Sequence, residues 1–199
     1  PDGYNGFENL MAVYGYTLQI YCDFSGYSDM AIGLGKMLGY DLGVNFRLPY
    51  QAMNITEFWR RWHISLSSWL RDYIYIPLGG NRKGKFKQYR NLMLTMLIGG
   101  LWHGANWKFV FWGGMHGIGL AVHKFVSRFT DKIKSTFASR FFAWFITFHF
   151  VIFLWIFFRA TDITRSQTVE VMQNGVKTEV IQNVKRSEER RVGKECRSR

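Results

Sequence analysis

The sequence predicts an all-α protein: a polytopic bundle of membrane helices, with an amphipathic helix at the membrane interface and short or re-entrant membrane segments. Apolar stretches with almost no charge alternate along the chain with short basic stretches. Aromatic residues make up 18% of the chain, and all eight tryptophans lie between Trp59 and Trp155. Apolar segments flanked by Lys and Arg are typical of membrane helices and their cytoplasmic loops.

The first apolar stretch covers residues 9–22, NLMAVYGYTLQIYC, and carries no charge. It predicts the first membrane-embedded helix. Asp23 and Asp29 bracket a segment rich in Ser and Gly, which we interpret as a helix break where the carboxylates cap backbone groups rather than catalyse a reaction. A second helical piece is expected to continue to Tyr40.

Residues 45–50, NFRLPY, predict an extended connector, because Pro49 disfavours helical geometry at Leu48. A helix start follows. Asn54 is a favourable N-cap, and Glu57, three residues later, can reach back toward the cap. We therefore expect a helix to begin at Asn54 and to end before Pro77.

This helix is amphipathic, with an apolar face and an Arg-containing face. Its combination of aromatic residues and arginines is typical of a helix at the membrane interface. On a period of 3.6 residues one face carries Trp59, His63, Leu66, Leu70 and Tyr73. Taken alone, His63 on such a face is more often a hydrogen-bonded structural histidine than a catalytic one.

Two basic stretches flank the next apolar region, one at residues 82–90 and one at residues 124–140. The chain carries a formal net charge of +12, but these charges adjoin apolar segments, which favours membrane topology over a nucleic-acid interface. With both stretches cytoplasmic, residues 91–107 and 109–123 form an out-and-back pair. The first arm is shorter than the ~20 residues of a full span, which predicts a broken or re-entrant element.

Two glycine pairs, each soon followed by a histidine, interrupt this apolar pair: GGLWHG, with His103, and GGMHG, with His116. An ionisable ring in membrane-like sequence is costly to bury and indicates a functional site. We expect the glycines beside His103 to let a substrate approach the backbone. His116 is expected to pack.

The clearest membrane span is residues 141–158, FFAWFITFHFVIFLWIFF, which contain no Lys, Arg, Asp or Glu. Residues 162–184 are polar and weakly patterned, and they predict a loop or the start of another element. Residues 186–199, RSEERRVGKECRSR, match the translation of a common sequencing adapter, so we treat residues 1–185 as one domain and residues 186–199 as an artefact.

Several catalytic templates are missing from the sequence: the His-Glu-x-x-His zinc motif, the P-loop and the Gly-x-Ser-x-Gly elbow. The five histidines are scattered without carboxylates or cysteines at ligand spacing, so no metal site is expected. What remains is histidine acid–base chemistry centred on His103. A transporter or proton-relay subunit using the same histidines is the alternative, and a purely structural scaffold is a third interpretation.

Several blocks in order carry a family resemblance: YCDFSGYSDMAIG, NFRLPY, FWRRWHISLSSWLRDYIYIPLGG and GGLWHGANWKFVFWGGMHG. Together they resemble the membrane-bound O-acyltransferase family over roughly residues 14–160. The similarity is greatest to its bacterial branch, which contains the alginate O-acetyltransferase membrane subunit and the membrane protein of teichoic-acid D-alanylation. Members are more than twice this length, so the chain is expected to be an internal part of a larger protein.

The resemblance implies a multi-pass enzyme of the bacterial inner membrane, in contact with membrane lipid. His103 matches the family's invariant histidine and His63 its second polar position, so both are predicted catalytic residues. His103 is expected to act as general base or to carry the acyl group briefly, and His63 to orient or assist. The implied reaction moves an acyl group, by expectation acetyl, from acetyl-CoA or another cytosolic acyl thioester toward an extracytoplasmic polysaccharide such as alginate. A periplasmic or extracellular partner protein would receive the group. No bound cofactor and no nucleic acid are expected.

Overall fold

The structure is a computed structural model that describes residues 5–82, 84–130 and 136–159, together with the backbone of two strands between residues 165 and 184. The chain divides into two compact units, Pro1–Phe158 and Arg159–Arg199. Residues 186–199, predicted to be an artefact, lie outside the described residues.

The described part of the first unit is helical, which confirms the predicted class. Its elements in chain order are α1 (Gly6–Met37), a 3₁₀ turn (Pro49–Gln51), α2 (Ile55–Arg61), α3 (Ile64–Leu70), a π-helical segment (Arg71–Tyr75), α4 (Lys85–Trp102), α5 (Trp107–Thr130) and α6 (Phe137–Arg159). In the second unit β1 (Arg165–Gln173) pairs with β2 (Val176–Val184) as an antiparallel hairpin, with Arg165 opposite Val184.

Helix α1 is continuous over 32 residues, so the break predicted between Asp23 and Asp29 is wrong. A capping box starts the helix: the Glu8 amide donates to Asn5 Oδ1 at 2.9 Å, and the Asn5 amide donates to Glu8 Oε2 at 2.8 Å. The Ser/Gly segment weakens the helix by only about 1 kcal/mol per glycine. Tertiary packing of the aromatic residues within and beside this segment outweighs that cost.

The amphipathic stretch, predicted as one helix, is instead two short helices separated at Trp62 and His63. The predicted start is confirmed, since Asn54 Oδ1 accepts from the Glu57 amide at 2.8 Å. The Glu57 carboxylate reaches back to the Met53 amide at 2.8 Å. After α3 the chain passes through the π-helical segment and turns at residues 76–82, where Pro77 was expected to end the helix.

The connector supplies the reason for the break. The Arg47 amide donates to Arg61 O at 2.9 Å, and the Ile64 amide donates to Asn45 O at 3.0 Å, so the connector takes backbone groups that a continuous helix would bond internally. His63 adopts the left-handed conformation, with φ of 46°. Leu48 is also left-handed, with φ of 47°, so the connector is not extended there as predicted.

Helix α2 lies in the core of the unit. Phe58 and Trp62 are almost fully buried. The Phe58 ring stacks on His116 of α5, and the Trp62 ring lies 5.0 Å from Trp155 of α6. The apolar face of α2 therefore packs against protein, and the location of this helix at a membrane interface stays a prediction.

Helices α4 and α5 form the expected out-and-back pair, with a turn at residues 103–106. Three of the basic residues between 82 and 90 belong to the first turns of α4 rather than to a loop. The two helices touch through glycines: a Cβ on Gly100 would collide with the carbonyl oxygen of Phe109, and a Cβ on Gly113 would collide with that of Met96. Small residues of this kind allow close helix packing in membranes.

Helix α6, Phe137–Arg159, contains the predicted span and is long and apolar enough to cross a membrane. Within the described ranges it is the one helix that meets this criterion. It joins the bundle through large side chains, since Trp144 Nε1 donates to Tyr50 O at 2.9 Å and Tyr14 Oη lies 2.7 Å from His149 Nε2.

We expect Gly113→Ala to destabilise the protein, because the new methyl group meets the backbone of α4. Overpacking of this kind costs about 1–3 kcal/mol, and backbone atoms yield less than side chains. Gly114→Ala is the matched control, since its nearest neighbour, Leu97 Cδ2, lies at an ordinary 3.5 Å. Thermal unfolding of the detergent-purified variants, followed by fluorescence, should show a lower Tm for Gly113→Ala alone. Equal Tm values for both variants would contradict the close contact.

Candidate functional site

The site is a cavity of about 490 Å³ that opens between α1, the break at Trp62–His63, and the ends of α4 and α6. Its volume lies in the usual range for small-molecule sites. Its lining residues are Tyr16, Gln19, Ile20, Asp23, Phe24, Trp62, His63, Trp102, His103, Trp112, Trp155 and Phe158. Both predicted catalytic histidines are therefore wall residues of one cavity, although 40 positions separate them in the sequence.

His103 is the C-cap of α4 and lies half-buried in a cage of aromatic rings. The ring centroids of Trp102, Trp112 and Phe158 lie 5.0, 5.2 and 5.2 Å from that of the imidazole, all edge-on. The part of the chain that the structure describes offers no hydrogen-bond partner to the His103 ring nitrogens. Aromatic contacts alone hold the imidazole, so both nitrogens can interact with a substrate.

His63 is the residue at which the amphipathic stretch breaks, and its left-handed backbone directs the side chain to the cavity wall. Non-glycine residues in this conformation cluster at functional sites. The Phe24 ring packs edge-on at 4.8 Å, and Nδ1 lies 3.3 Å from Asn45 Oδ1. The Trp102 ring packs edge-on against both histidines, with ring centroids 6.0 Å from that of His63 and 5.0 Å from that of His103.

The wall contributed by α1 carries polar groups that sequence reasoning did not assign to the site. Tyr16, Gln19 and Asp23 lie one helical turn apart along one face of α1 and line the same cavity as the histidines. Asp23 is the one carboxylate in this lining among the described residues. Their spacing of three and four residues was a usable signal, but the predicted helix break placed Asp23 outside any helical face.

His116 does not line the cavity. It is fully buried in α5, where its Nδ1 accepts from Trp59 Nε1 at 3.3 Å and its ring lies 4.6 Å from that of Trp112. An indole N–H can only donate, so Nδ1 carries a lone pair and the His116 ring is neutral. The ring is thus held by packing and by one hydrogen bond, in the role expected from the sequence.

The glycines near His103 have a different role from the one expected. Gly100 packs directly against the backbone of α5, so it has no room for a side chain. A Cβ on Gly104 would meet the Phe109 ring at 2.7 Å. These glycines therefore bring protein elements together around the imidazole, and a substrate does not need to approach their backbone. Within the described ranges no group of three His, Cys, Asp or Glu residues is arranged to hold a metal ion.

This arrangement can perform proton transfer in a partly dehydrated cavity. One imidazole has no hydrogen-bond partner among the described residues, a second is oriented by a polar network, and aromatic rings pack against both. A neutral imidazole can accept a proton from a hydroxyl group and return it to a leaving group. The carboxylate and amide on α1 can hydrogen-bond a polar acceptor.

Comparison with known proteins identifies the family. The model of the MBOAT, membrane-bound O-acyltransferase, family matches residues 8–163. The chain is 55% identical over 148 residues to the probable alginate O-acetylase AlgI of Pseudomonas putida, covering 74% of this chain and 30% of that protein. It is 53% identical over 148 residues to the peptidoglycan O-acetyltransferase of Helicobacter pylori, covering 74% and 28%.

A more distant similarity is also found. The teichoic acid D-alanyltransferase of Bacillus subtilis is 34% identical over 156 residues, which is 73% of this chain and 39% of that protein. The chain thus spans between 28% and 39% of the length of these three relatives. The matched region includes the whole cavity, with both histidines and the α1 wall. The chain belongs to the membrane-bound O-acyltransferase family.

Proposed function

We propose that the protein containing this chain is a multi-pass O-acyltransferase of the bacterial inner membrane. It moves an acyl group, in our proposal acetyl, from a cytosolic thioester such as acetyl-CoA toward an extracytoplasmic polysaccharide. The observation that carries the proposal is the placement of His103 and His63 on one aromatic-walled cavity in a chain of this family. The names of the relatives, which include alginate and peptidoglycan O-acetylating proteins, support an acetyl group and a polysaccharide.

In the proposed reaction, His103 is the general base. The acceptor hydroxyl oxygen forms a bond to the thioester carbonyl carbon while His103 takes the hydroxyl proton. The carbon–sulfur bond then breaks, and His103 returns the proton to the departing thiolate, so the products are an ester and a free thiol. His63 accepts a hydrogen bond from a second N–H or O–H group of the acceptor, which orients the reacting hydroxyl toward His103. The cage of Trp102, Trp112 and Phe158 limits access of water, which would otherwise hydrolyse the thioester.

The acceptor in the membrane step is proposed to be a hydroxyl of a periplasmic or extracellular partner protein, which then acylates the polymer. A cavity of about 490 Å³ fits one side chain or one sugar unit rather than a polymer chain. Asp23 and Gln19 are suited to hold the polar acceptor from the side of α1.

His103→Ala in the full-length protein should abolish O-acetylation of the polymer, since loss of a general base costs about 10²- to 10⁴-fold in rate. His149→Gln is the matched control: His149 is also a histidine of an apolar helix, but it bonds Tyr14 and Phe145 O rather than lining the cavity. Ester content of the polymer is measured in a deletion strain complemented with each variant at equal membrane abundance. Retained acetylation in His103→Ala would refute the assignment.

Radiolabelled acetyl-CoA separates the general-base mechanism from its rivals. In membranes supplied with acceptor, label should move covalently onto the acceptor, and without acceptor the enzyme should stay unlabelled. Label on the peptide that contains His103 before acceptor is added would instead indicate an acyl-histidine carrier. Movement of solute or protons across the membrane without any covalent label would favour a transporter or proton-relay subunit.

A further inference from the structure

Asn45 connects the short connector to the broken helix at four points. Its carbonyl oxygen accepts from the Ile64 amide at 3.0 Å, and its side-chain Oδ1 accepts from the Ser65 amide at 3.2 Å. Oδ1 also accepts from Ser65 Oγ at 3.0 Å and lies 3.3 Å from His63 Nδ1. Asn45 Nδ2 donates to the buried hydroxyl of Ser28 on α1 at 3.1 Å.

These bonds fix which end of the amide is oxygen. The Ser65 backbone N–H can only donate, so the atom it contacts must be the acceptor Oδ1. An amide oxygen cannot donate, so a hydrogen bond between it and His63 Nδ1, 3.3 Å away, requires a proton on Nδ1. The Ser65 hydroxyl lies 3.4 Å from the same nitrogen, and because its hydrogen is donated to Asn45 Oδ1, it presents a lone pair that can also accept from Nδ1–H. In a neutral imidazole the other nitrogen then has a free lone pair. These contacts favour the Nδ1–H tautomer of His63, through a residue 18 positions away.

We propose that Asn45 is a positioning residue: it holds His63 as the Nδ1–H tautomer and leaves Nε2 free to accept a hydrogen bond in the cavity. Nε2 lies on the ring edge opposite the Asn45 contact, and His63 is itself part of the cavity wall. The Phe24 ring, 4.8 Å away and edge-on, limits rotation of the imidazole about this bond.

A purely structural role would also explain part of this network, because Asn45 caps the first two amides of α3 from outside the helix. Such a role requires no contact with His63. The left-handed backbone at His63, φ of 46°, is what brings Nδ1 to the same oxygen that caps Ser65. One oxygen therefore links the start of α3 to the protonation of the histidine. The catalytic consequence rests on the proposed function, whereas the tautomer does not.

The tautomer is measured directly on the full-length protein in lipid, labelled with ¹⁵N-histidine, by solid-state NMR. The signals of His63 are identified by their loss in His63→Asn. We expect a protonated Nδ1 and a bare Nε2 in the unmodified protein, and a mixture of tautomers in Asn45→Leu. A His63 ring protonated only on Nε2 in the unmodified protein would overturn the proposal, whatever the protein is found to catalyse.

Kinetics test the consequence in membrane vesicles from the complemented deletion strain, with radiolabelled acetyl-CoA as the donor and rates normalised to enzyme abundance. Asn45→Leu should lower kcat about 10- to 100-fold, with KM for acetyl-CoA changed less than about threefold, because an orienting partner of a histidine acts on the chemical step. Asn45→Asp retains an accepting oxygen and should keep kcat within about threefold of the value of the unmodified enzyme.

His149→Gln is the control, because His149 lies outside both the cavity lining and the Asn45 network. It should leave kcat unchanged. If Asn45→Leu has the same kcat as the unmodified enzyme, the proposal is overturned. The proposed function is tested separately, by the loss of activity in His103→Ala. Equal loss of kcat in Asn45→Asp and Asn45→Leu would also overturn it, since the accepting oxygen would then not be the property that matters.

Discussion

The contact between Gly100 and Gly113 sets the geometry on which the rest of the site depends. Because neither residue has a Cβ, α4 and α5 approach until backbone meets backbone. The turn at residues 103–106 is then short, and Trp112, on the returning helix, lies 5.2 Å from the ring of His103. A wider spacing would remove one wall of the aromatic cage. Glycine pairs that read in the sequence as weak points of a helix are therefore what place the imidazole.

The second half of the site is assembled from segments distant in sequence. Asn45 and Arg47 take over backbone hydrogen bonds of the helix broken at His63, and Asn45 is tied to α1 through Ser28. Helix α1 contributes Gln19 and Asp23 to the cavity wall. One polar network thus couples three elements around His63, whereas His103 depends on aromatic packing. The two imidazoles share a cavity but are held by different forces, which suits one as an oriented partner and the other as the reacting base.

The sequence was sufficient for the helical class and for the out-and-back helix pair around the turn at residues 103–106, because apolar length is a local signal. His103 and His63 stay predicted catalytic residues, and the structure places both on one cavity wall. The break at Trp62–His63 was not predictable. FWRRWHISL contains neither glycine nor proline, and the groups that stabilise the break come from the connector. The continuity of α1 was missed because its Ser/Gly segment has a low local helix propensity, whereas tertiary packing, which the sequence does not show, outweighs that cost. The α1 wall was missed because the predicted helix break separated Asp23 from Tyr16 and Gln19, which share its helical face.

The central claim is that acyl transfer takes place between His103 and His63 in this cavity. Its most direct test is a cryo-electron microscopy structure of the full-length protein with a non-hydrolysable thioether analogue of acetyl-CoA. The account predicts that the carbonyl carbon of the analogue lies between the two imidazoles, within about 3–3.5 Å of the position of an attacking oxygen bonded to His103. An analogue bound with its carbonyl outside the cavity, remote from both rings, would contradict it.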